Sequence, residues 1–266
     1  MQQLLWFETK GEAKGVSPIV LLHGFTGTNS TWRQLCESLY GEYHLILPDL
    51  PGHGKSTAVG YLDVDKVTDA ILAMLDALQI EKTALLGYSL GGRIALRFAI
   101  KYTDRVSCVI LESASPGILD SKDREERRLN DASLAEGIRQ NGLVWFLNIW
   151  ENLDLFRSQK DLPPEVRQGI RSERLENSPE GLASSLENAG AGVMPPMWSD
   201  LRNLKIPVLL IAGEKDEKYA AIARDMQREL EGSVVHIMKN AGHAVHLENP
   251  HAFQAAVEEF LGRVYK

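Results

Sequence analysis

TALLGYSLGGRIALRFAIKY, residues 83–102, passes from a short apolar run into a segment of helical spacing through Gly87-Tyr88-Ser89-Leu90-Gly91. Only a tight turn fits between such neighbours, and bulk two positions either side of its tip would obstruct it. Glycine at 87 and 91 removes that bulk, so G-x-S-x-G stands in the strand–turn–helix context it requires. The pattern predicts a strained Ser89, exposed at the carboxyl end of a strand. A helix N-cap would account for the hydroxyl but leaves both glycines unexplained.

Outward from this turn, apolar runs recur: SPIVLL (17–22), YHLILPD (43–49), RVSCVILES (105–113), IPVLLIAGE (206–214) and SVVHIM (233–238). Near-continuous apolarity marks strands covered on both faces. Helix-period segments at 63–78, 91–102 and 218–230 lie between several of them. This alternation predicts an α/β fold, a mostly parallel sheet flanked by helices. Residues 114–204 break the rhythm, with helical patterns, proline pairs from 163 and 195, and Trp145, Trp150 and Trp198. They predict a helical cap inserted into a core formed by 1–113 and 205–266. Neither an internal repeat nor a low-complexity linker interrupts the chain.

A length of 266 residues with 44% hydrophobic content and 22 glycines suits one large α/β domain or a domain with an insert. The formal net charge is −7 and basic residues form no long block, which argues against nucleic-acid and anionic-membrane surfaces. Cys36 and Cys108 sit in apolar neighbourhoods far apart in sequence, as reduced core thiols would. The opening MQQLLWFETKGEAKG lacks a basic segment followed by a long apolar one, and no run approaches the roughly 18 apolar residues of a membrane span. The expectation is a cytoplasmic protein; oligomeric state stays open, and a monomer is compatible with the sequence.

A serine nucleophile or base needs a partner, and parallel strands deliver their following loops to one edge. Asp216 follows IPVLLIAGEK and His243 follows SVVHIM, so the chain order is serine, acid, histidine. Glu214, Glu217 and Glu112 compete for the acid role, and His246 for the base role; His23, His53 and His236 fall in turns or a strand. HAVH (243–246) could offer two metal ligands, but no further ligand stands at a recognisable spacing, so neither metal nor cofactor is expected. Lys55-Ser56 after Gly54 imitates the tail of a phosphate loop, yet position 49 is aspartate rather than glycine. In IVLLHGFTG (19–27) a glycine-containing turn ends a strand, and backbone N–H groups of Phe25 and Leu90 would form an oxyanion hole.

LLHGFTG, LPDLPGHGKS, GYSLGGR, ESASPG, GEKD and NAGHAVHLENP together resemble the α/β-hydrolase superfamily along nearly the whole chain. GYSLGGR with ESASPG, DREERR and RLENSPEGLASSLENAGAGVMPPMW further resembles the 2-succinyl-6-hydroxy-2,4-cyclohexadiene-1-carboxylate synthase family of menaquinone biosynthesis. The resemblance implies an α/β-hydrolase fold and a lyase that eliminates pyruvate from 2-succinyl-5-enolpyruvyl-6-hydroxy-3-cyclohexene-1-carboxylate. It implies Arg127 and Arg171 as partners of substrate carboxylates, with Tyr88 and Trp150 in the pocket wall; Arg124, Arg128 and Arg174 stand close enough to be confused with them. A polycarboxylate calls for planar, bidentate cations. Residues 114–200 hold eight of the sixteen arginines and two of the thirteen lysines, yet carry ten basic against fifteen acidic residues, so individual arginines rather than bulk charge must do the binding.

Arg93 raises its own question, because a cation in the first turn of a helix opposes the macrodipole. A substrate carboxylate or a carboxylate of the fold would offset that cost. Two other functions share these residues: an ester or carbon–carbon bond hydrolase on the same triad, and a non-catalytic receptor of the same fold.

Overall fold

The computed structural model describes residues 5–11, 15–56 and 63–265; part of the opening stretch read for a leader segment lies outside them. In chain order the elements are β1 (Phe7–Lys10), β2 (Ser17–Leu22), α1 (Arg33–Leu39), β3 (Tyr43–Pro48), α2 (Val64–Ala77), β4 (Thr83–Tyr88), α3 (Leu90–Lys101) and β5 (Val106–Glu112). Then come α4 (Ser121–Trp150), α5 (Pro164–Leu175), α6 (Pro179–Ala189), β6 (Val208–Gly213), α7 (Glu217–Glu229), β7 (Val234–Met238), α8 (Val245–Glu248) and α9 (Pro250–Val264). The six apolar runs are all strands, and the three expected helices are α2, α3 and α7. Sequence patterning missed β1, α1, α8 and α9. β1 is four residues long and polar at three of them, too short for a period to register.

The described strands form one sheet in the order β1-β3-β2-β4-β5-β6-β7. β1 pairs antiparallel with β3 and every other pairing is parallel. Alternate residues of β2 go to opposite faces: Val20 and Leu22 join the core beneath α2, α3 and α7, while Ile19 and Leu21 join the core beneath α1 and α9. Two covered faces explain why these strands read as unbroken apolar runs rather than alternating ones. Cys36 and Cys108 are free and buried in the second of these cores. Burial pushes their thiols up, to about 11 and about 12 respectively, away from thiolate chemistry.

The order of strands decides where a site can form. The chain steps from β2 outward to β3, then crosses back to place β4 on the other side of β2, so β2 and β4 flank a switch point with Leu22 opposite Gly87. Loops at the carboxyl ends of strands diverge there and leave a crevice. Over that edge lie α4, α5 and α6, with no strand among the described residues between Glu112 and Val208. Ala135, Ile138, Phe146 and Leu147 of α4 pack on Leu182, Ala183 and Leu186 of α6, with Phe25 and Trp150 against them. α4 breaks at Gly142, whose φ of 78° is left-handed. No described helix is long and apolar enough to cross a membrane.

Candidate active site

Ser89 sits at the tip between β4 and α3 with φ 50° and ψ −106°, a left-handed conformation unfavourable to any residue with a Cβ. Its neighbours explain how the turn persists. A Cβ on Gly87 would lie 2.4 Å from the Gly91 carbonyl oxygen, and one on Gly91 would lie 2.2 Å from that of Leu22. The Ser89 N–H donates to the Glu112 carbonyl at 2.9 Å, tying the elbow to the end of β5. Ser89 is half-buried rather than exposed, because it faces a cavity roofed by the helices above the sheet edge. The expectation of exposure considered the strand end alone and not the elements folded over it.

His243 Nε2 lies 3.1 Å from Ser89 Oγ, and His243 Nδ1 lies 2.6 Å from Asp216 Oδ2. The second Asp216 oxygen accepts the Tyr219 N–H at 3.2 Å, capping α7. Asp216 and His243 are both buried. With Nδ1–H donated to the carboxylate, Nε2 is left to accept from the serine hydroxyl. Three of the rival residues, Glu112, Glu214 and His246, are occupied elsewhere. His246 Nδ1 is 2.9 Å from Glu112, and the Asn240 N–H donates to Glu214. Glu248 accepts the N–H groups of Gly242 and Ala244, at 2.7 Å and 3.2 Å, and so brackets the backbone on both sides of His243.

Phe25 and Leu90 line the same cavity as Ser89 and His243. The Gly24 carbonyl accepts from His23 Nδ1 at 2.8 Å and from the Gly27 N–H at 3.1 Å. Since this peptide is trans, the Phe25 N–H leaves from its opposite side. His23 Nε2 accepts the Leu50 N–H at 2.9 Å, which puts the proton on Nδ1. Burial pulls the His23 imidazole down to about 4, so it stays neutral near pH 7. Gly24 itself has no room for a side chain, since a Cβ would lie 2.5 Å from the Tyr88 ring.

The cavity encloses about 640 Å³ of space, its open mouth included. Arg93, Arg127, Tyr88 and Trp150 all line it. Arg93 donates to the Ala189 carbonyl at 3.2 Å and forms no ion pair among the described residues. Burial pulls its guanidinium down to about 10, still protonated at neutral pH. Arg127 is held through Nε by Asp131 at 2.8 Å. Trp150 keeps a buried Nε1 with no hydrogen-bond partner. The structure does not bring Arg171 into this cavity. That residue pairs with Glu151, donates to Asn148 at 2.8 Å, and lines a separate hollow with Arg167 and Arg174.

Eight lining residues escaped the sequence reading, and three of them carry polar or aromatic groups. Tyr219 stacks edge-on against His243 with ring centroids 4.6 Å apart, Phe156 approaches the same ring at 5.9 Å, and Ser185 adds a hydroxyl from α6. Tyr219 stands three residues after Asp216, a spacing that puts it on the first turn of the helix Asp216 caps, and this was the available signal. Phe156 and Ser185 belong to segments whose approach to the triad depends on how α4 to α6 fold back.

Residues 17–250 match the α/β hydrolase fold family, and the chain belongs to it. Closer relatives narrow the likeness. A protein of Bacillus subtilis (strain 168), provisionally named 2-succinyl-6-hydroxy-2,4-cyclohexadiene-1-carboxylate synthase, is 42% identical over 247 residues, covering 91% of this chain and 89% of its own. The synthase of that name from Salmonella agona (strain SL483) is 34% identical over 255 residues, 95% of each chain. The solved structure of MenH from S. aureus matches with a TM-score of 0.94 and 35% identity, covering 100% of both chains. These similarities bear out the resemblance carried by the motifs.

Proposed function

We propose that this enzyme is a 2-succinyl-6-hydroxy-2,4-cyclohexadiene-1-carboxylate synthase of menaquinone biosynthesis, a lyase that eliminates pyruvate from 2-succinyl-5-enolpyruvyl-6-hydroxy-3-cyclohexene-1-carboxylate. The observation that carries this reading is Arg93: a cation in the serine's own cavity, drawn away from bulk water and without a carboxylate of the fold to pair with. An anionic substrate supplies that partner. Residues 114–204 act as a cap over the core, and Arg93 and Arg127 receive carboxylates beneath it, with Tyr88 and Trp150 as walls. Arg171 serves a further carboxylate only if the cap rearranges around substrate.

In this mechanism Asp216 orients His243, which takes the Ser89 proton as the Ser89 oxygen takes the acidic proton of the substrate ring. The electron pair of the broken C–H bond passes into an enolate whose oxygen is held by the N–H groups of Phe25 and Leu90. Collapse of the enolate forms the 2-ene, shifts the ring 3-ene to position 4 and breaks the C–O bond at position 5; the departing enolate of pyruvate takes the proton held by His243 and tautomerises to pyruvate, which restores the neutral imidazole. No acyl-enzyme forms. The protein works in the cytoplasm on a soluble metabolite.

The test is purified protein with the enolpyruvyl substrate, pyruvate release being followed by a coupled lactate dehydrogenase assay, beside a series of p-nitrophenyl esters. Pyruvate release at a kcat/KM well above any ester turnover supports the lyase. Ester turnover with no pyruvate would transfer the same triad to a hydrolase.

A further inference from the structure

The loop that carries Phe25 is held from above as well as from the sheet. Thr26 has φ 72°, in the left-handed region that a β-branched residue strongly disfavours. Such a conformation persists only where surrounding groups over-determine it. Two side chains from the other side of the crevice do so. Asn177, just past the end of α5, donates from Nδ2 to the Thr26 carbonyl at 2.9 Å. Its Oδ1 accepts the Gly54 N–H at 3.0 Å, so the amide spans two core loops. Glu173, on the last turn of α5, places one carboxylate oxygen 2.9 Å from the Thr28 N–H, 3.2 Å from the Thr28 hydroxyl and 2.6 Å from the Thr31 hydroxyl. Thr26 and Asn177 are both buried, which shields these bonds from competing water.

We infer that Glu173 and Asn177 are positioning residues for the Gly24–Phe25 peptide: the seating of α5 sets the direction of the Phe25 N–H donor. His23 and Gly27 grip the Gly24 carbonyl from the sheet side, while Asn177 grips the Thr26 carbonyl and Glu173 the Thr28 N–H from the α5 side. Neither residue lines the catalytic cavity, so neither touches substrate there. Their effect belongs to the transition state, because the donor they aim acts on charge that develops only during the reaction. This inference rests on the lyase reading for its natural substrate but not for its test, since an oxyanion hole also serves ester hydrolysis.

Asn177→Ala, Asn177→Asp and Glu173→Gln are compared with wild type on the enolpyruvyl substrate and on p-nitrophenyl acetate. Arg139→Gln serves as the control, for Arg139 ties α4 to α6 through Glu187 at 2.7 Å and does not reach the loop. Asn177→Asp keeps the acceptor for Gly54 but removes the donor to Thr26, so the two functions of the amide separate. The expected result is a kcat lowered about tenfold or more for all three test variants, approaching the roughly hundredfold loss of a removed oxyanion donor. KM should stay within about twofold, the pH profile should keep its shape, and Arg139→Gln should retain wild-type kcat per folded molecule. Glu173→Asp should recover part of the Gln loss. Wild-type kcat in the test variants, or a loss carried by KM or by the folded fraction measured from the melting curve, overturns the inference. A wild type active on ester alone overturns the lyase reading and leaves this comparison intact.

Discussion

The Glu112 carboxylate and the His246 imidazole form a second buried histidine–carboxylate pair behind the triad, with His246 Nδ1 2.9 Å from both carboxylate oxygens. Glu112 also accepts the His246 N–H at 2.9 Å, while its own carbonyl holds the Ser89 N–H. One residue at the end of β5 therefore joins the elbow to the loop that bears His243. Glu112→Gln keeps the shape but gives up one acceptor oxygen in a buried site. It should cost about 1–3 kcal/mol of stability, read as a lower urea midpoint at unchanged slope. A midpoint equal to wild type would contradict the clamp.

Ser89→Ala removes the proposed base oxygen but keeps the Cβ, so the positive φ of the elbow stays as it is. Pyruvate release should fall by several orders of magnitude while the enolpyruvyl substrate still binds, with a melting temperature close to that of wild type. Binding is measured by isothermal titration. Near-normal turnover would show that Ser89 does not carry the proton.

Arg93→Ala should lower kcat/KM by about tenfold to a hundredfold, the equivalent of one charged hydrogen-bonded contact worth about 1.5–3 kcal/mol. Arg93→Lys should recover part of this, since a point charge restores attraction but not the planar fork. Arg127→Ala should cost less, because Asp131 already holds part of that guanidinium. Arg171→Ala is the discriminating case: a full loss requires the α5 region to shift on binding, and no loss leaves Arg171 as a partner of Glu151. Unchanged kcat/KM in Arg93→Ala would remove the carboxylate contact from the mechanism.

His23 and His53 are buried and held neutral, at about 4 and about 3 against an ordinary value of 6.5. Below pH 6.5 the unfolded chain binds protons at these positions that the folded one refuses, so stability present above pH 6.5 is lost as pH falls toward 4. Melting temperatures taken from pH 7.5 to pH 4 should therefore drop through this window. His53→Gln should flatten part of the slope. A curve that is level from pH 6.5 to 4.5 would mean that these imidazoles are hydrated in the native protein.

Ser89, Asp216 and His243 were legible because each follows an apolar run at a strand end, and parallel strands bring their carboxyl ends to one edge whatever the details of packing. The two elbow glycines were legible for a similarly local reason, since the turn between β4 and α3 tolerates no side chain at either place. The roles of individual arginines were not. Arg93, Arg127 and Arg171 look alike in sequence, and the structure separates them into a cation without a carboxylate, one shared with Asp131, and one turned to Glu151 outside the cavity. That separation depends on where α4 to α6 come to rest, and so does the hold of Glu173 and Asn177 on a loop some 145 to 151 residues away. Local periodicity and turn chemistry act over a few residues, so the sequence by itself determined the strands, the elbow and the order of the triad. Which charges meet across the crevice is decided by long-range packing, where a rotation of one helical turn replaces one partner with another, and only the tertiary structure carries that information.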